Sequence, residues 1–358
     1  MRFFRLILYF FLVLAGAFLI FLAYATLDDY QPGFVESRHT DRQVPSLSDT
    51  AVIDLLIWNI GYAGLDASMD FFYDGGKQMR PSREGVDRNL QGILETLSAH
   101  QDKDFILLQE VDRRSKRSYH LNQVNIIESH FPGYSAYFGM NYNVSFVPVP
   151  LKSPMGKVES GLVTLTSHPP ATVTRHSFPG NYSWPVRLFM LDRCFLVSRY
   201  PVEGGVELLV INTHNSAYDD GSLRSIQMSF LREFLLTEYE QGNYVVVGGD
   251  WNQTPYGFES DLLNHPFDTL DVTFIEKNFP GAEWRWAYDP ETPTNRRVST
   301  PYDSFSSLTT VIDCYLLSPN IRVEHVETID LDFRWSDHQP VLLKARLDAG
   351  KTQKKSPI

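Results

Sequence analysis

Tyr244-Val245-Val246-Val247-Gly248-Gly249-Asp250-Trp251-Asn252 runs from four apolar residues through two glycines into an acid and an amide two positions apart. The valine-rich run reads as a buried strand. Residues i and i+2 of an extended chain point the same way, so Asp250 and Asn252 are expected to face one cleft. The glycines let a substrate or a neighbouring chain come close.

Five other places repeat the pattern of an apolar run meeting a polar residue: Trp58-Asn59, Gln109-Glu110, Thr213-His214-Asn215, Ile312-Asp313 and Ser336-Asp337-His338. Each piece alone also has an ordinary reading. Asn59 suits a turn, Glu110 a solvated loop, and His214 a structural position. Together they offer the groups needed to hold one hard divalent cation and a phosphate. Glu110, helped by Asn59, is a sensible seat for Mg²⁺ or Mn²⁺, which prefer oxygen ligands. Asp313 lies in an apolar stretch and needs a partner, since an unpaired buried carboxylate is costly. A histidine is the obvious one, because such pairing raises imidazole basicity and fixes its tautomer. These parts point to metal-assisted phosphoester hydrolysis. The chain has no His-Glu-x-x-His, no Cys/His cluster, no phosphate-binding P-loop and no Gly-x-Ser-x-Gly elbow, which argues against zinc and serine hydrolases.

The same patterning predicts strands over Val52–Asn59, Phe105–Glu110, Gly161–Ser167, Phe189–Arg199, Val206–Thr213, Tyr244–Asp250, Val311–Ser318 and Val341–Arg346. A helix is expected after Ser82, a suitable N-cap, with Val86, Leu90, Ile93, Leu94 and Leu97 on one stripe. A second is expected near Ser222–Leu236, with Leu223, Ile226, Phe230, Leu231 and Phe234 inward. Strands buried on both sides under helices indicate a layered α/β domain.

From Leu6 to Leu27 no residue is charged; Arg2 and Arg5 precede the run, and Asp28 and Asp29 follow it. That length suits a membrane span, and the charge asymmetry places the body outside the cytoplasm. Ala23-Tyr24-Ala25 also matches a signal-cleavage site, so secretion after cleavage near Ala25 is the alternative. The expected organisation is a signal-anchor over 1–27, a polar linker over 28–49, a catalytic domain over 50–347 and a basic tail over 348–358. The formal charge of −11 argues against nonspecific binding of long polyanions. The two cysteines are too few for a disulfide framework.

The six blocks, in this order, resemble the endonuclease/exonuclease/phosphatase superfamily with its DNase I-like fold, from about Val52 to Leu347. The resemblance implies a four-layer α/β sandwich, two mixed sheets face to face with helices outside. It implies that Asn59 and Glu110 hold the metal, with Asp337 at a second metal position. Asp250 would align the attacking water, Asn252 would touch the phosphate, and His214 and His338 would flank it, with Asp313 orienting His338. Arg187 is a weaker candidate for a phosphate clamp. Asn215 and Trp251 depart from the family's usual apolar choices and are expected to alter the pocket wall.

The substrate is left open by the sequence. The tether and two aromatic stretches taken as loops, Tyr137–Phe146 and Trp284–Tyr288, favour a small or membrane-borne phosphoester. Arg296 and Arg297 would suit a nuclease gripping a strand backbone, though no basic stripe is visible. Sphingomyelinase-like or phospholipase C-like hydrolysis is the lipid version. A binding module with a relic site would have lost one of Glu110, Asp250, Asn252 or His338, and all are present. No obligate protein partner is indicated.

Overall fold

The computed structural model describes residues 2–39, 44–217, 221–258 and 272–351. Its strands are β1 (Val35–His39), β2 (Val52–Asn59), β3 (Phe105–Asp112), β4 (Ser135–Val147), β5 (Gly156–Thr166), β6 (Thr172–Ser177), β7 (Cys194–Val202), β8 (Val206–His214), β9 (Tyr244–Asp250), β10 (Arg285–Ala287), β11 (Asn295–Arg296), β12 (Thr309–Thr310), β13 (Asp313–Leu317), β14 (Ile321–Thr328) and β15 (Val341–Leu347). The α-helices are α1 (Arg2–Leu27), α2 (Arg83–Ser98), α3 (Gln123–His130) and α4 (Ser222–Glu240). One sheet has the order β1-β6-β7-β8-β9-β13-β10 and the other β14-β15-β2-β3-β5-β4. Both are mixed: β2 runs parallel to β3 and β8 parallel to β9, while the other neighbours are antiparallel.

Alternation along the strands builds the layers. In β2, Ile53, Leu55 and Ile57 face the other sheet, whose Leu208, Val210, Tyr244, Val246, Tyr315 and Leu317 complete that core. The intervening Leu56 and Trp58 face outward, onto Val86, Leu90, Ile93 and Leu97 of α2. On the far side Leu209, Ile211, Val245 and Val247 meet Met228, Leu231 and Leu235 of α4. Period two in the strands and 3.6 in the helices thus give helix, sheet, sheet, helix. Ser82 caps α2, its hydroxyl accepting from Gly85 N–H at 3.1 Å.

Several expectations are corrected. The strand expected from Phe189 begins at Cys194, because Val186–Phe189 is a 3₁₀ turn behind Pro185. Ile226 of α4 is exposed rather than inward. Part of the expected linker is β1, paired with β6, and Leu47 bridges to Val202. The two aromatic stretches taken as loops lie in β4 and β10. Beyond residue 351 the expected basic tail lies outside the described residues. Helix α1 has 26 residues and is long and apolar enough to cross a membrane.

Candidate active site

Inward parity carries the core directly into a polar cluster. Continuing the inner-facing positions of β2 gives Asn59, those of β8 give Asn212 and His214, and those of β9 give Asp250. In β13, Tyr315 and Leu317 face inward and so does Asp313. His214 is registered with Asp250, and Asp250 with Asp313, so the three form a row across neighbouring strands at one sheet edge. Gly249 makes the row tight. Its φ is +147°, and a Cβ there would meet Thr213 O at 2.0 Å.

Glu110 has the wrong parity for this edge, since Phe105 and Leu107 already face inward. The pairing of β3 with β5 slips between Leu108 and Val111, and Glu110 takes a left-handed φ of +55°. The bulge brings its side chain into the cleft. Asn252 is likewise left-handed at +50°, with its N–H donating to Asp250 Oδ1 at 2.8 Å. Asp250 and Asn252 share the cleft through this turn, not through extended alternation.

Asn59 ties the two sheets' contributions together. Its Nδ2 donates to Asp250 Oδ2 at 3.0 Å, reaches Glu110 Oε1 at 3.4 Å and lies 3.4 Å from His338 Nε2. Its Oδ1 accepts from Gly61 N–H at 3.0 Å. Asn59 therefore presents an NH₂ group to the cluster, and serving as a metal ligand requires the amide to turn over. Gly61 has a φ of +49°, and a Cβ there would meet Asp337 Oδ1 at 2.8 Å. Glycine is thus required beneath that carboxylate.

His338 Nδ1 lies 2.8 Å from Asp313 Oδ2, and both are buried. Its Nε2 lies 3.7 Å from Asp250 Oδ2 and 2.9 Å from Asn295 Nδ2. Burial opposes charge on His338, but Asp313, Asp250 and Asp337 hold its pKa well above the ordinary value. His214, with Nε2 3.5 Å from Asp250 Oδ2, is driven the other way by burial and by Arg193, His338 and Arg117. The two imidazoles are thus shifted in opposite directions, the kind of split that separates acid and base roles.

Asp337 is pushed up to about 7, first by burial and then, against the pull of His338, by Glu110. Burial likewise lifts Asp313 to about 6, although His338 opposes the shift. Asp313 and Asp250 sit directly opposite each other, which is unfavourable for like charges. This surplus of carboxylate oxygen fits a hard divalent cation. Among the described residues, ligand atoms of Asp250, Asp313 and His338 lie within 4.8 Å of one another, and Glu110 and Asp337 line the same cleft. His338 Nδ1 is committed to Asp313, which leaves its Nε2 to face an ion.

The cluster lies in a cleft of about 1050 Å³. Sequence reasoning missed Arg117, Asn141 and Asn295, which also line it. Arg117 pairs with Asp112 at 3.0 Å and approaches Glu110 at 3.9 Å, over the Tyr62 ring. Asn141 is buried with no partner for its Nδ2. Their only signal is polarity within segments that otherwise read as strand or loop.

Some candidates lie elsewhere. Arg187 does not line the cleft; its guanidinium lies 3.5 Å from Asp29. Arg296 and Arg297 do line the cleft, but the Arg296 guanidinium is buried and donates to the backbone oxygens of Asp66 and Thr300 at 2.6 and 3.1 Å, so it fastens loops rather than gripping a strand. Trp251 is core, its Nε1 donating to Cys314 O at 3.0 Å. Asn215 is buried beside Thr213 and Met228. Neither alters the pocket wall. Cys194 and Cys314 are buried free thiols.

The structure resembles several solved ones. An endonuclease/exonuclease/phosphatase from Beutenbergia cavernae aligns over 83% of this chain and 72% of its own, with TM-score 0.54 and 18% identity. ANGEL2, a 2′,3′-cyclic phosphatase solved with adenosine-2′,3′-vanadate, aligns over 89% of this chain and 100% of its own, with TM-score 0.53 and 15% identity. The human Nocturnin catalytic domain, solved with sulfate, covers 86% and 97%, with TM-score 0.50 and 17% identity. These likenesses show the fold. No curated protein sequence matches the chain. The sequence model of the Endonuclease/Exonuclease/phosphatase family matches residues 56–338, from within β2 to His338 itself. The chain belongs to that family, whose members are metal-dependent hydrolases of phosphoric ester bonds.

Proposed function

We propose that the protein is a membrane-tethered, Mg²⁺-dependent phosphoesterase whose body, residues 50–347, lies outside the cytoplasm. The single observation that carries the catalytic reading is the His214–Asp250–Asp313 row facing Glu110, Asp337 and His338 across one amide, Asn59. Glu110 and Asp337 would hold the cation, joined by Asn59 once its amide turns. When bound, the cation polarises the phosphoryl group and offsets its charge.

The side chains supply the rest. Asp250 aligns water and takes its proton through Oδ2, since Oδ1 is held by Asn252 N–H; the same turn of the Asn59 amide that lets it face the cation withdraws its NH₂ from Oδ2. His338 presents Nε2 as the proton donor to the leaving oxygen, which requires the Asn295 amide to turn its oxygen rather than its NH₂ toward that nitrogen, and Asp313 fixes the ring and sustains its charge. His214, neutral, and Asn252 donate hydrogen bonds to phosphoryl oxygens where negative charge grows. The tether reading rests on α1, with Arg2 and Arg5 on its N-terminal side.

The test is a panel of DNA, RNA, sphingomyelin, phosphatidylcholine and inositol phosphates, each with Mg²⁺ and with chelator. Hydrolysis of at least one, lost with chelator and in Glu110→Ala, is expected. Chelator-insensitive hydrolysis, or normal turnover in the variant, would refute the roles.

A further inference from the structure

The C-terminal end of α1 packs beside the mouth of the cleft. Phe21 stacks on Phe189 at 5.8 Å with planes 9° apart, and meets Phe146 edge-on at 6.2 Å. Trp184 Nε1 donates to Thr26 Oγ1 at 3.2 Å. Phe189 and Val186 also line the cleft, so the segment around Pro185 faces the helix on one side and the site on the other.

Around this joint, large apolar side chains are left in solvent. Leu151 is 88% exposed, Trp184 54%, Val186 48%, Phe146 41% and Val149 40%. Val149 lines the cleft, and its carbonyl accepts from Tyr73 on the facing wall at 3.2 Å. Scattered exposed apolar residues are ordinary. A set gathered at the mouth of a functional cleft marks an interaction surface.

Length decides what covers it. The uncharged run Leu6–Leu27 is about 33 Å long as a helix, against a hydrocarbon layer about 30 Å thick, so it nearly fills that layer with Arg2 and Arg5 left on the far side. Phe21 then lies about 9 Å from the end of the run, near the boundary of acyl chains and headgroups. The body residues packed on it, Phe146 and Phe189, share that level. Inserting α1 therefore sets the apolar rim at the headgroup level, where aromatic and aliphatic side chains are stabilised.

We propose that the rim formed by Phe146, Val149, Leu151, Trp184 and Val186 rests on the bilayer that α1 enters, and that the cleft takes a phosphoester bearing an apolar chain directly from it. This rests on the phosphoesterase reading of the site. The apolar wall beside the polar row gives the chain a path: Val149, Val186 and Phe189 line the same cleft as Glu110 and His338.

The test uses the full chain in phosphatidylcholine vesicles, with an environment-sensitive fluorophore on Leu151→Cys or, as control, on His325→Cys. His325 lies on β14, at the opposite edge of its sheet from β4. The native cysteines are buried. Lipids with brominated chains are expected to quench the label at 151 at least twofold and leave that at 325 unchanged. Equal quenching at both sites, or none at 151, overturns the proposal. In parallel, the Leu151→Asp/Trp184→Asp double variant is expected to lose at least tenfold in turnover of vesicle-borne phosphodiester lipids, with bis(p-nitrophenyl) phosphate cleaved as by the unmodified protein. Parallel loss on both substrates, or wild-type cleavage of soluble esters but of no lipid in a panel, also overturns it. Failure to cleave any phosphoester refutes the functional reading instead, while quenching at 151 still decides the rim.

Discussion

Glu110 and Asn252 hold left-handed backbone; the Asn252 turn is secured by its bonds to Asp250 and Asn215, whereas the Glu110 side chain has no such local compensation. Such conformations cost on the order of 1 kcal/mol or more each and persist where the surroundings impose them. Glu110→Gly relieves that strain and removes one carboxylate from a crowded cluster, at an entropic cost of similar size. Its unfolding free energy is expected to stay within about 1 kcal/mol of the parent by denaturant titration, while metal-dependent turnover falls about a thousandfold. A large loss of stability would show that Glu110 is a structural residue. Asp313→Asn tests the other half of the site. Asp313 is a main support of the raised His338 pKa, so its loss lowers that pKa and the imidazolium is lost at lower pH. The alkaline limb of kcat/KM is expected to move toward acid, with turnover down about a hundredfold or more at pH 8. An unmoved limb would remove His338 from the acid role. The residues readable in advance are those whose strand parity delivers them to the edge: Asn59, His214, Asp250 and Asp313. Glu110 was placed by residue type and by its position after an apolar run, since the bulge that turns it inward leaves no periodic trace. Arg117, Asn141 and Asn295 went unread because their neighbours follow no single pattern.

At the scale of elements, the legible strands were those buried on both faces. β2 and β9 match their expected spans because unbroken apolar runs bounded by polar residues leave little choice. β1, β4 and β6 were missed, because edge and half-exposed strands carry charged and small residues that read as loop. β6 holds a group with a measurable consequence. His176 stacks on Phe195 at 4.9 Å and leans on Phe234 at 5.0 Å, and burial first, then Arg199, lowers its pKa to about 4. In the unfolded chain it titrates near 6.5. Between these values the unfolded state binds the extra proton, so this histidine lowers stability progressively as pH falls from about 6.5 toward 4 and has no such effect at pH 8. The melting temperature of His176→Phe relative to the parent is therefore expected to rise as pH drops from 8 to 5. A difference independent of pH would mean that His176 titrates normally in the fold.

For the molecule as a whole, the folded body and the apolar helix are separable in energy. The core clusters between and outside the sheets begin at Leu47 and draw nothing from α1. Of the helix, Leu22 alone is fully buried, with Gly16, Phe21 and Ala25 partly so. These contacts lie against Phe146 and Phe189, at the cleft's rim and far from the paired strands that carry the row. Removing residues 1–27 thus strips the ring contacts of Phe21, the Thr26–Trp184 hydrogen bond and an exposed span, while every hydrogen bond described around Asn59, Asp250 and His338 remains. The truncated protein is expected to be soluble without detergent, to unfold cooperatively, and to cleave a soluble diester with unchanged Mg²⁺ dependence. Its turnover of esters embedded in vesicles should fall, because the cleft is no longer held at the surface and local concentration is lost. Insoluble or molten product, judged by near-ultraviolet circular dichroism, would show instead that α1 completes the fold.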